Sequence, residues 1–466
     1  MHGRKRAEYK HRFQDEQVVK GMEQKAQQWY ALSAKALQLR SAAASDTAGA
    51  SSTTTTLELL DKMLRVNPDP LHLWNQRREI LMASNSEDKD MDKDEVNDKD
   101  EDKDWLPAEL ALTAAALERN PKAYGAWFHR KWALQLHVFG TKRNTGTTCT
   151  SSTPPLPLLH EELALTELFL QQDERNFHCW NFRRFLVGLE LHVQLSAPHS
   201  TYISSTGTEL GLELDGAWPN GGSDSTGAFC IIGSQLATTA TESQAQQAAP
   251  TSTTNQYYKE ILQREWQFTQ TKIVQNFSNF SAFHYRTKLL LFVHNTDKDK
   301  GTGVEGWTPV ASSDDSTTAA IAQQEWSLME NIMFTEPDDQ TIWWYHRFIL
   351  DWVQSRLRND KQNDNNDVDT SWYKEWLLKQ AETLQVLIEE ANDNNSENEA
   401  GGCKWALLGH HLVLAHLVDH DTDDDDDDEK KEIKSKMKTI LDQLIQMDPY
   451  RAQRYKAMLV RQGQLK

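Results

Sequence analysis

The sequence predicts an all-α protein, a right-handed α-α superhelix that is built as a solenoid of helical hairpins. One reason is a recurring sequence motif. In it, a helix stop precedes a new helix that carries a Trp and, three residues later, an Arg. Its clearest copy contains Trp127 and Arg130. The other reason is the spacing, because Trp74 to Trp127 is 53 residues (127 − 74) and Trp127 to Trp180 is again 53 (180 − 127). A fixed period of this size is typical of solenoids, whose units bury their apolar faces by stacking.

The motif occurs five times, and each copy has an aromatic residue followed by an Arg three positions later. They are Trp74 with Arg77, Trp127 with Arg130, Trp180 with Arg183, Phe283 with Arg286, and Trp344 with Arg347. We interpret the aromatic residue as a side chain buried against the first helix of its hairpin (helix A). The Arg lies on the same face of the second helix (helix B), where its fork of donors can satisfy helix-end carbonyls or a carboxylate.

Each helix A is predicted from apolar residues at helical spacing, such as Leu57, Leu60 and Leu64 in repeat one. Pro68 and Pro121 then stop helix A of the first two repeats, because Pro disfavours helical geometry in the residue before it. Helix B begins after this turn and carries the Trp.

The later part of the chain continues the same pattern less regularly. Repeat four is expected between residues 257 and 294, and repeat five has its helix B near Thr341. A sixth unit pairs residues 372–391 with 403–418 and keeps a Trp, Trp405, but lacks the Arg. A last helix A and a terminal helix after Asp448 are expected to close the array.

The predicted organisation is an N-terminal segment and leading helix over residues 1–45, followed by the repeat solenoid over residues 46–466. Stretches rich in Asp, Lys, Ser, Thr or Gly without apolar periodicity are predicted to be disordered insertions. They are residues 85–104, 141–157, 195–254, 297–318, 359–370 and 419–430.

Composition excludes several classes of protein. The net charge of −19 argues against nucleic acid as a partner. The four cysteines have no CxxC spacing, which argues against a disulfide framework and a thiolate metal site. No apolar run approaches the roughly 18 residues of a membrane span, and the first thirty residues are not signal-like. A cytoplasmic protein that is not integral to a membrane is therefore expected.

The complete repeat motif resembles the repeat of protein prenyltransferase α subunits, and in particular that of the Rab geranylgeranyltransferase (type II) α subunits. The resemblance is carried by NPKAYGAWFHR at 120–130, DERNFHCW at 173–180, NFSNF at 276–280 and the opening MHGR. It implies a tetratricopeptide-like crescent of paired helices around a separate β subunit. The β subunit would hold the catalytic zinc and the isoprenoid pocket, and no cofactor is expected on this chain alone. The heterodimer would transfer geranylgeranyl from geranylgeranyl diphosphate to C-terminal cysteines of Rab GTPases that an escort protein presents.

The resemblance implies two site residues, and the sequence offers two further candidates. Lys122 matches the diphosphate-facing lysine of the family, whose ammonium would stabilise charge that develops on the leaving diphosphate. Tyr124 fills the family position two residues on, where the ring and hydroxyl approach the substrate. His178, from the same turn of repeat three, is a candidate donor to the diphosphate or to side chains of the β subunit. His2, on the N-terminal segment, is a speculative ligand to the zinc of the β subunit. The alternative interpretations are structural: Lys122 as a solvated surface group, Tyr124 as a packing residue of the turn, His178 as a polar interface group and His2 as part of a frayed terminus.

Two other functions stay open at this stage. The α subunit shared by farnesyltransferase and type I geranylgeranyltransferase usually has Tyr at the position of Phe177, and the MHGR opening also weighs against it. A non-catalytic helical-repeat scaffold would make Lys122 dispensable. Animal type II α subunits carry an immunoglobulin-like insert and C-terminal leucine-rich repeats, and because no Leu-x-x-Leu-x-Leu pattern follows Asp448, the minimal form is expected.

Overall fold

The computed structural model describes nine stretches of the chain, and every regular element in them is a helix, which confirms the predicted all-α class. The stretches are residues 16–43, 50–87, 105–140, 155–195, 252–290, 317–363, 371–393, 403–420 and 427–461. The chain divides into two compact units, residues 1–232 and residues 233–466. Each unit is an array of helical hairpins.

The first unit contains a leading helix and three hairpins. Its helices are α1 (Glu16–Ala43), α2 (Ala50–Val66), α3 (Leu71–Glu87), α4 (Leu106–Arg119), α5 (Tyr124–Gly140), α6 (Pro155–Gln172) and α7 (Phe177–Leu195). Repeats one, two and three are α2 with α3, α4 with α5, and α6 with α7. The B helices pack in succession, α3 on α5 and α5 on α7, and the leading helix α1 packs on α2. A helix thus precedes the hairpins, and the hairpins stack in succession.

The second unit contains three further hairpins and a terminal pair. Its helices are α8 (Ser252–Gln275), α9 (Phe280–Leu290), α10 (Thr317–Thr335), α11 (Gln340–Asn363), α12 (Ser371–Asp393), α13 (Lys404–His420), α14 (Asp427–Met447), a 3₁₀ turn (Pro449–Arg451) and α15 (Ala452–Arg461). Repeats four, five and six are α8 with α9, α10 with α11, and α12 with α13. Here too the B helices pack in succession, α9 on α11 and α11 on α13.

A tryptophan of helix B closes the turn between the two helices of a hairpin. In repeat two, the indole N–H of Trp127 donates to the carbonyl oxygen of Pro121 at 2.8 Å. The same bond to the residue six positions earlier recurs from Trp74 to Pro68 at 2.8 Å, from Trp180 to Glu174 at 2.7 Å and from Trp343 to Pro337 at 2.7 Å. The indoles are also buried, and that of Trp127 contacts the rings of Phe169 and Phe182 in repeat three. This side chain therefore fixes the turn and packs against the next repeat.

Buried arginines join one repeat to the next. Arg77 donates to both carboxylate oxygens of Glu109, at 2.7 and 2.6 Å, and also to the carbonyl oxygen of Leu57. His129 contacts the same carboxylate at 2.7 Å. Equivalent two-bond pairs connect Arg130 to Glu162 and Arg286 to Glu325. The structural interpretation of these arginines is confirmed, and the carboxylate comes from helix A of the following repeat.

The fifth repeat departs from the predicted register by one residue. Trp343, not Trp344, makes the bond to the carbonyl of Pro337, and Arg347 is an exposed residue that faces Asp351 at 3.7 Å. The buried arginine position is therefore taken by His346, whose Nε2 contacts the amide oxygen of Gln380 at 2.8 Å. Burial lowers the pKa of His346 to about 4, so a neutral imidazole meets a neutral amide where other repeats pair Arg with Glu.

In the sixth repeat the predicted tryptophan is not at the tryptophan position. The backbone N–H of Leu407 bonds the carbonyl of Cys403 at 3.2 Å, as that of Trp127 bonds Ala123 in repeat two. Leu407 is buried, whereas Trp405 is only partly buried. The prediction that Trp405 fills this position was therefore wrong, because a buried leucine packs at the hairpin in its place.

The predicted insertions fall mainly outside the described residues, but helices reach into their edges. Helix α3 ends at Glu87 and α6 begins at Pro155, inside the segments predicted as 85–104 and 141–157. Helices α10, α11, α13 and α14 likewise extend two to five residues into predicted insertions. Among the described helices, none is both long and apolar enough to cross a membrane.

Candidate functional site

The turn of repeat two holds Lys122 in a fixed position at the edge of the first unit. Asn120 ends α4 in an extended conformation, and its side-chain oxygen accepts the backbone N–H of Lys122 at 3.0 Å. Pro121 follows Asn120 and accepts the indole N–H of Trp127. With the backbone tied at both ends, the side chain of Lys122 projects outward and is half exposed.

The turn of repeat three supplies a carboxylate to this lysine. The Nζ atom of Lys122 lies 3.0 Å from Oδ2 of Asp173. The other carboxylate oxygen of Asp173 accepts the backbone N–H of Arg175 at 3.1 Å, which fixes the carboxylate within its own turn. Asn176 bonds the turn of repeat two directly, because its side-chain amide donates to the carbonyl of Pro121 at 2.9 Å. Sequence reasoning missed Asp173, whose contact with Lys122 spans two repeats.

Tyr124 and His178, the other two predicted residues, lie against each other beside this turn. Their ring centroids are 4.2 Å apart in an edge-to-face arrangement, and the ring of Phe177 lies 6.3 Å from that of Tyr124. Tyr124 is the first residue of α5 and is half exposed, whereas His178 is buried.

His178 carries a neutral imidazole at neutral pH. Burial, together with the nearby ammonium groups of Lys131 and Lys122, lowers the pKa of His178 to about 4. A neutral imidazole can donate one N–H to an anion without adding charge. The local positive charge therefore comes from the lysines.

The structure thus brings Lys122, Tyr124 and His178 together on the turns of repeats two and three. An ammonium, a phenol and an imidazole N–H can jointly bind an anionic group and stabilise charge that develops on it. His2 lies outside the described residues. Within the part of the chain that the structure describes, no group of three or more His, Cys, Asp or Glu could hold a metal ion.

The buried carboxylates of the repeat interfaces were a second feature that sequence reasoning missed. Glu109, Glu162 and Glu325 are almost fully buried. Each stands 18 residues before the tryptophan of its own repeat, for example Glu109 before Trp127 (127 − 109). This constant interval was present in the sequence, but a Glu on helix A reads as a solvent-exposed residue until its arginine partner is known.

Comparison with known proteins identifies the repeats. Three stretches, residues 106–137, 159–189 and 262–292, match the family model described as "Protein prenyltransferase alpha subunit repeat". These stretches contain all of α9 and most of α5 and α7, the B helices of repeats two to four, together with much of the helix A of each repeat. The resemblance to the prenyltransferase α-subunit family is confirmed by this match and by the relatives of the chain.

Those relatives are named geranylgeranyl transferase type-2 subunit alpha. The rat protein is 28% identical over 294 residues, which are 63% of this chain and 33% of the relative. The Candida albicans protein is 23% identical over 403 residues, 85% of this chain and 82% of the relative, and the Schizosaccharomyces pombe protein is 24% identical over 76% and 86%. The chain thus spans about a third of the length of the mammalian relatives but most of the length of these two yeast proteins.

Proposed function

From the protein prenyltransferase α-subunit repeats that this chain carries, we propose that it is the α subunit of a heterodimeric Rab geranylgeranyltransferase. The pair would transfer geranylgeranyl from geranylgeranyl diphosphate to C-terminal cysteines of Rab GTPases that an escort protein presents. The observation that carries the proposal is the cluster of Lys122, Tyr124 and His178 on turns of two matched repeats. We further propose a cytoplasmic location for this reaction.

The proposal divides the chemistry between two subunits. The β subunit would hold the zinc, which supplies activation of the substrate thiol, and would enclose the isoprenoid chain. This chain would contribute the edge formed by the turns of repeats two and three, where Tyr124 and Phe177 present half-exposed aromatic rings to the partner or the substrate. Its described residues would bind and orient the diphosphate end of the substrate.

Lys122 has the main role in this mechanism. As the allylic C–O bond breaks, negative charge grows on the departing diphosphate, and an ammonium held nearby stabilises that transition state more than the ground state. In the chain alone the ammonium is paired with Asp173. Since both side chains are more than a third exposed, the pair contributes only about 0 to 1 kcal/mol, and a diphosphate can displace or share it. His178 can add one neutral donor.

Reconstitution with a type II β subunit tests the proposal. The purified pair is assayed for zinc-dependent transfer to a Rab with escort protein, using wild type, Lys122→Ala and the matched control Lys62→Ala on the exposed side of α2. We expect Lys122→Ala to form the pair normally and to lose at least about tenfold in single-turnover rate, or about 1.4 kcal/mol. Lys62→Ala is expected to match wild type.

Each other outcome has a definite meaning. A normal pair in which Lys122→Ala transfers lipid as fast as wild type contradicts the diphosphate role and leaves the function standing. Absence of any pair with the type II β subunit contradicts the function itself. The next partner to test is then the β subunit of farnesyltransferase, and failure with that subunit too would leave the scaffold interpretation.

A further inference from the structure

The candidate site, as assembled from the turns of repeats two and three, carries no net positive charge. The ammonium of Lys122 is balanced by the carboxylate of Asp173, 3.0 Å away. Tyr124 adds a phenol, and His178 adds an imidazole that is neutral at neutral pH. A diphosphate carries several negative charges, so its binding here favours a further cation close to these four side chains.

Lys131 lies on the same side of α5 as Tyr124, because the seven residues between them (131 − 124) make nearly two helical turns, about 10 Å along the axis. Helical side chains lean towards the N-terminus, so that of Lys131 leans back towards the turn with Lys122. Its Nζ lies 5.4 Å from the ring centroid of Phe185, which follows His178 by seven residues on α7 (185 − 178). Lys131 thus lies in the seam between α5 and α7 that begins at the candidate site.

Lys131 also acts on the candidate site electrostatically. After burial, the ammonium of Lys131 is the largest cause of the lowered pKa of His178, ahead of the ammonium of Lys122. The positive potential at His178 therefore comes from both lysines. An anion that accepts the imidazole N–H is stabilised by the same potential.

The charge of Lys131 is not balanced by a carboxylate. Among the residues that the structure describes, no acidic group lies within ion-pair distance of its Nζ. Burial, followed by the nearby Arg184, lowers the pKa of Lys131 to about 8, so the ammonium still predominates at neutral pH. Partial burial of an ammonium without a counter-ion lowers the stability of the fold. An anionic ligand would supply the missing counter-charge.

We propose that Lys131 is a second diphosphate-binding residue of the candidate site, supplying the net positive charge that the pair of Lys122 with Asp173 lacks. The ligand, geranylgeranyl diphosphate, rests on the proposed function. The two lysines have different roles. Lys122 acts on the charge that develops as the C–O bond breaks, whereas Lys131 acts on the charge that the diphosphate already carries. Lys131 therefore stabilises the bound substrate and the transition state alike, and its loss weakens binding without slowing the chemical step.

Single-turnover transfer by the pair of the full-length chain with a type II β subunit tests this role. The concentration dependence gives the Kd of geranylgeranyl diphosphate and the rate at saturation, and inorganic diphosphate is titrated as a competing anion. We expect Lys131→Gln and Lys131→Met to raise the Kd and the inhibition constant of inorganic diphosphate at least tenfold, with the saturated rate within threefold of wild type.

Two control variants separate charge from packing. Lys131→Arg keeps the charge, and Arg is the residue at the equivalent position of repeat three, Arg184. Lys62→Gln removes an exposed lysine of α2. Both are expected to stay within threefold of wild type in all three constants. A Kd raised as much in Lys131→Arg as in Lys131→Gln would mean that the shape of the side chain matters and its charge does not.

Other results would also overturn the assignment. An unchanged Kd in an active pair that carries Lys131→Gln or Lys131→Met shows that the diphosphate does not depend on this lysine. Loss of pairing in both variants, with normal pairing of wild type, assigns Lys131 to assembly instead. Failure of wild type to pair or to transfer lipid contradicts the proposed function together with this role. In thermal unfolding of the chain alone, loss of the unbalanced charge should leave the Tm equal or higher, and a lower Tm in both variants would make Lys131 a packing residue.

Discussion

The ion pair between repeats four and five offers the sharpest test of how the repeats hold together. Arg286 and Glu325 are completely buried, with two bonds of 2.9 and 2.7 Å between them, and the hydroxyl of Tyr345 donates to the same carboxylate at 2.7 Å. Arg286→Met removes the cation and leaves a carboxylate in an apolar site with one neutral donor. Breaking a buried pair in this way costs about 3 to 5 kcal/mol. Met itself fits the site, because the guanidinium packs on the ring of Trp266, where a thioether also packs well.

The second variant separates the cause from simple loss of packing. Arg286→Met with Glu325→Gln removes both charges while the amide oxygen still accepts from Tyr345, so we expect most of the lost stability to return, to within about 2 kcal/mol of wild type. Hydrogen exchange in α9 and α10 measures the local free energy of opening. Arg65→Gln, which breaks the exposed pair with Asp61, should cost no more than about 1 kcal/mol. If the double variant is as unstable as Arg286→Met, the stranded carboxylate is not the source of the loss and the reasoning fails.

Three further predictions concern acid stability, a close approach and the candidate site. Because the pKa of His346 is about 4 when folded and about 6.5 when unfolded, its contribution is complete above pH 6.5 and is lost as the pH falls towards 4. Urea unfolding should therefore show a loss of about 3 kcal/mol over that range, reduced in His346→Gln. Gly125→Ala places a Cβ 2.7 Å from the indole nitrogen of Trp74, so we expect a loss of about 1 to 3 kcal/mol in thermal unfolding, and an unchanged Tm would contradict this. Asp173→Asn removes the charge that competes for Lys122, so the KM for geranylgeranyl diphosphate should fall or stay constant; a raised KM would mean that Asp173 is needed to position the lysine.

The hairpins could be predicted from the sequence because their determinants are local. Pro68 and Pro121 stop helix A within the turn itself, and the apolar spacing of each helix is readable over about fifteen residues. The tryptophan of the motif adds a second local signal, since its indole N–H donates to a carbonyl only six residues earlier. Such features need no knowledge of the neighbouring repeat.

The register of the fifth repeat was predicted wrongly because two local signals disagreed. Trp343 and Trp344 are adjacent, and Arg347 stands three residues after Trp344. The Trp-to-Arg spacing of the motif therefore favours Trp344 as the tryptophan of this repeat. The turn decides between them, because Trp343 stands six residues after Pro337, as Trp74 does after Pro68 and Trp127 after Pro121. The residue three positions after Trp343, His346, then contacts Gln380 of the sixth repeat. The junction between repeats five and six therefore keeps a buried hydrogen bond but replaces the Arg–Glu pair with two neutral groups. A search for Arg alone does not find this contact.

The long connections between helices lie away from the turns that carry the candidate site. In repeats one to five, the turn from helix A to helix B has four residues, whereas the long segments follow helix B, for example between α5 and α6. The two helices of a hairpin run in opposite directions, so the described helix ends that flank these segments lie away from the turns that carry Lys122 and Asp173. Longer connections at that end cost little, because closure entropy rises only slowly with length. The relative positions of Lys122, Asp173 and His178 thus depend on the stacking of two short turns. The sequence of a single repeat could therefore indicate the lysine but not its carboxylate partner.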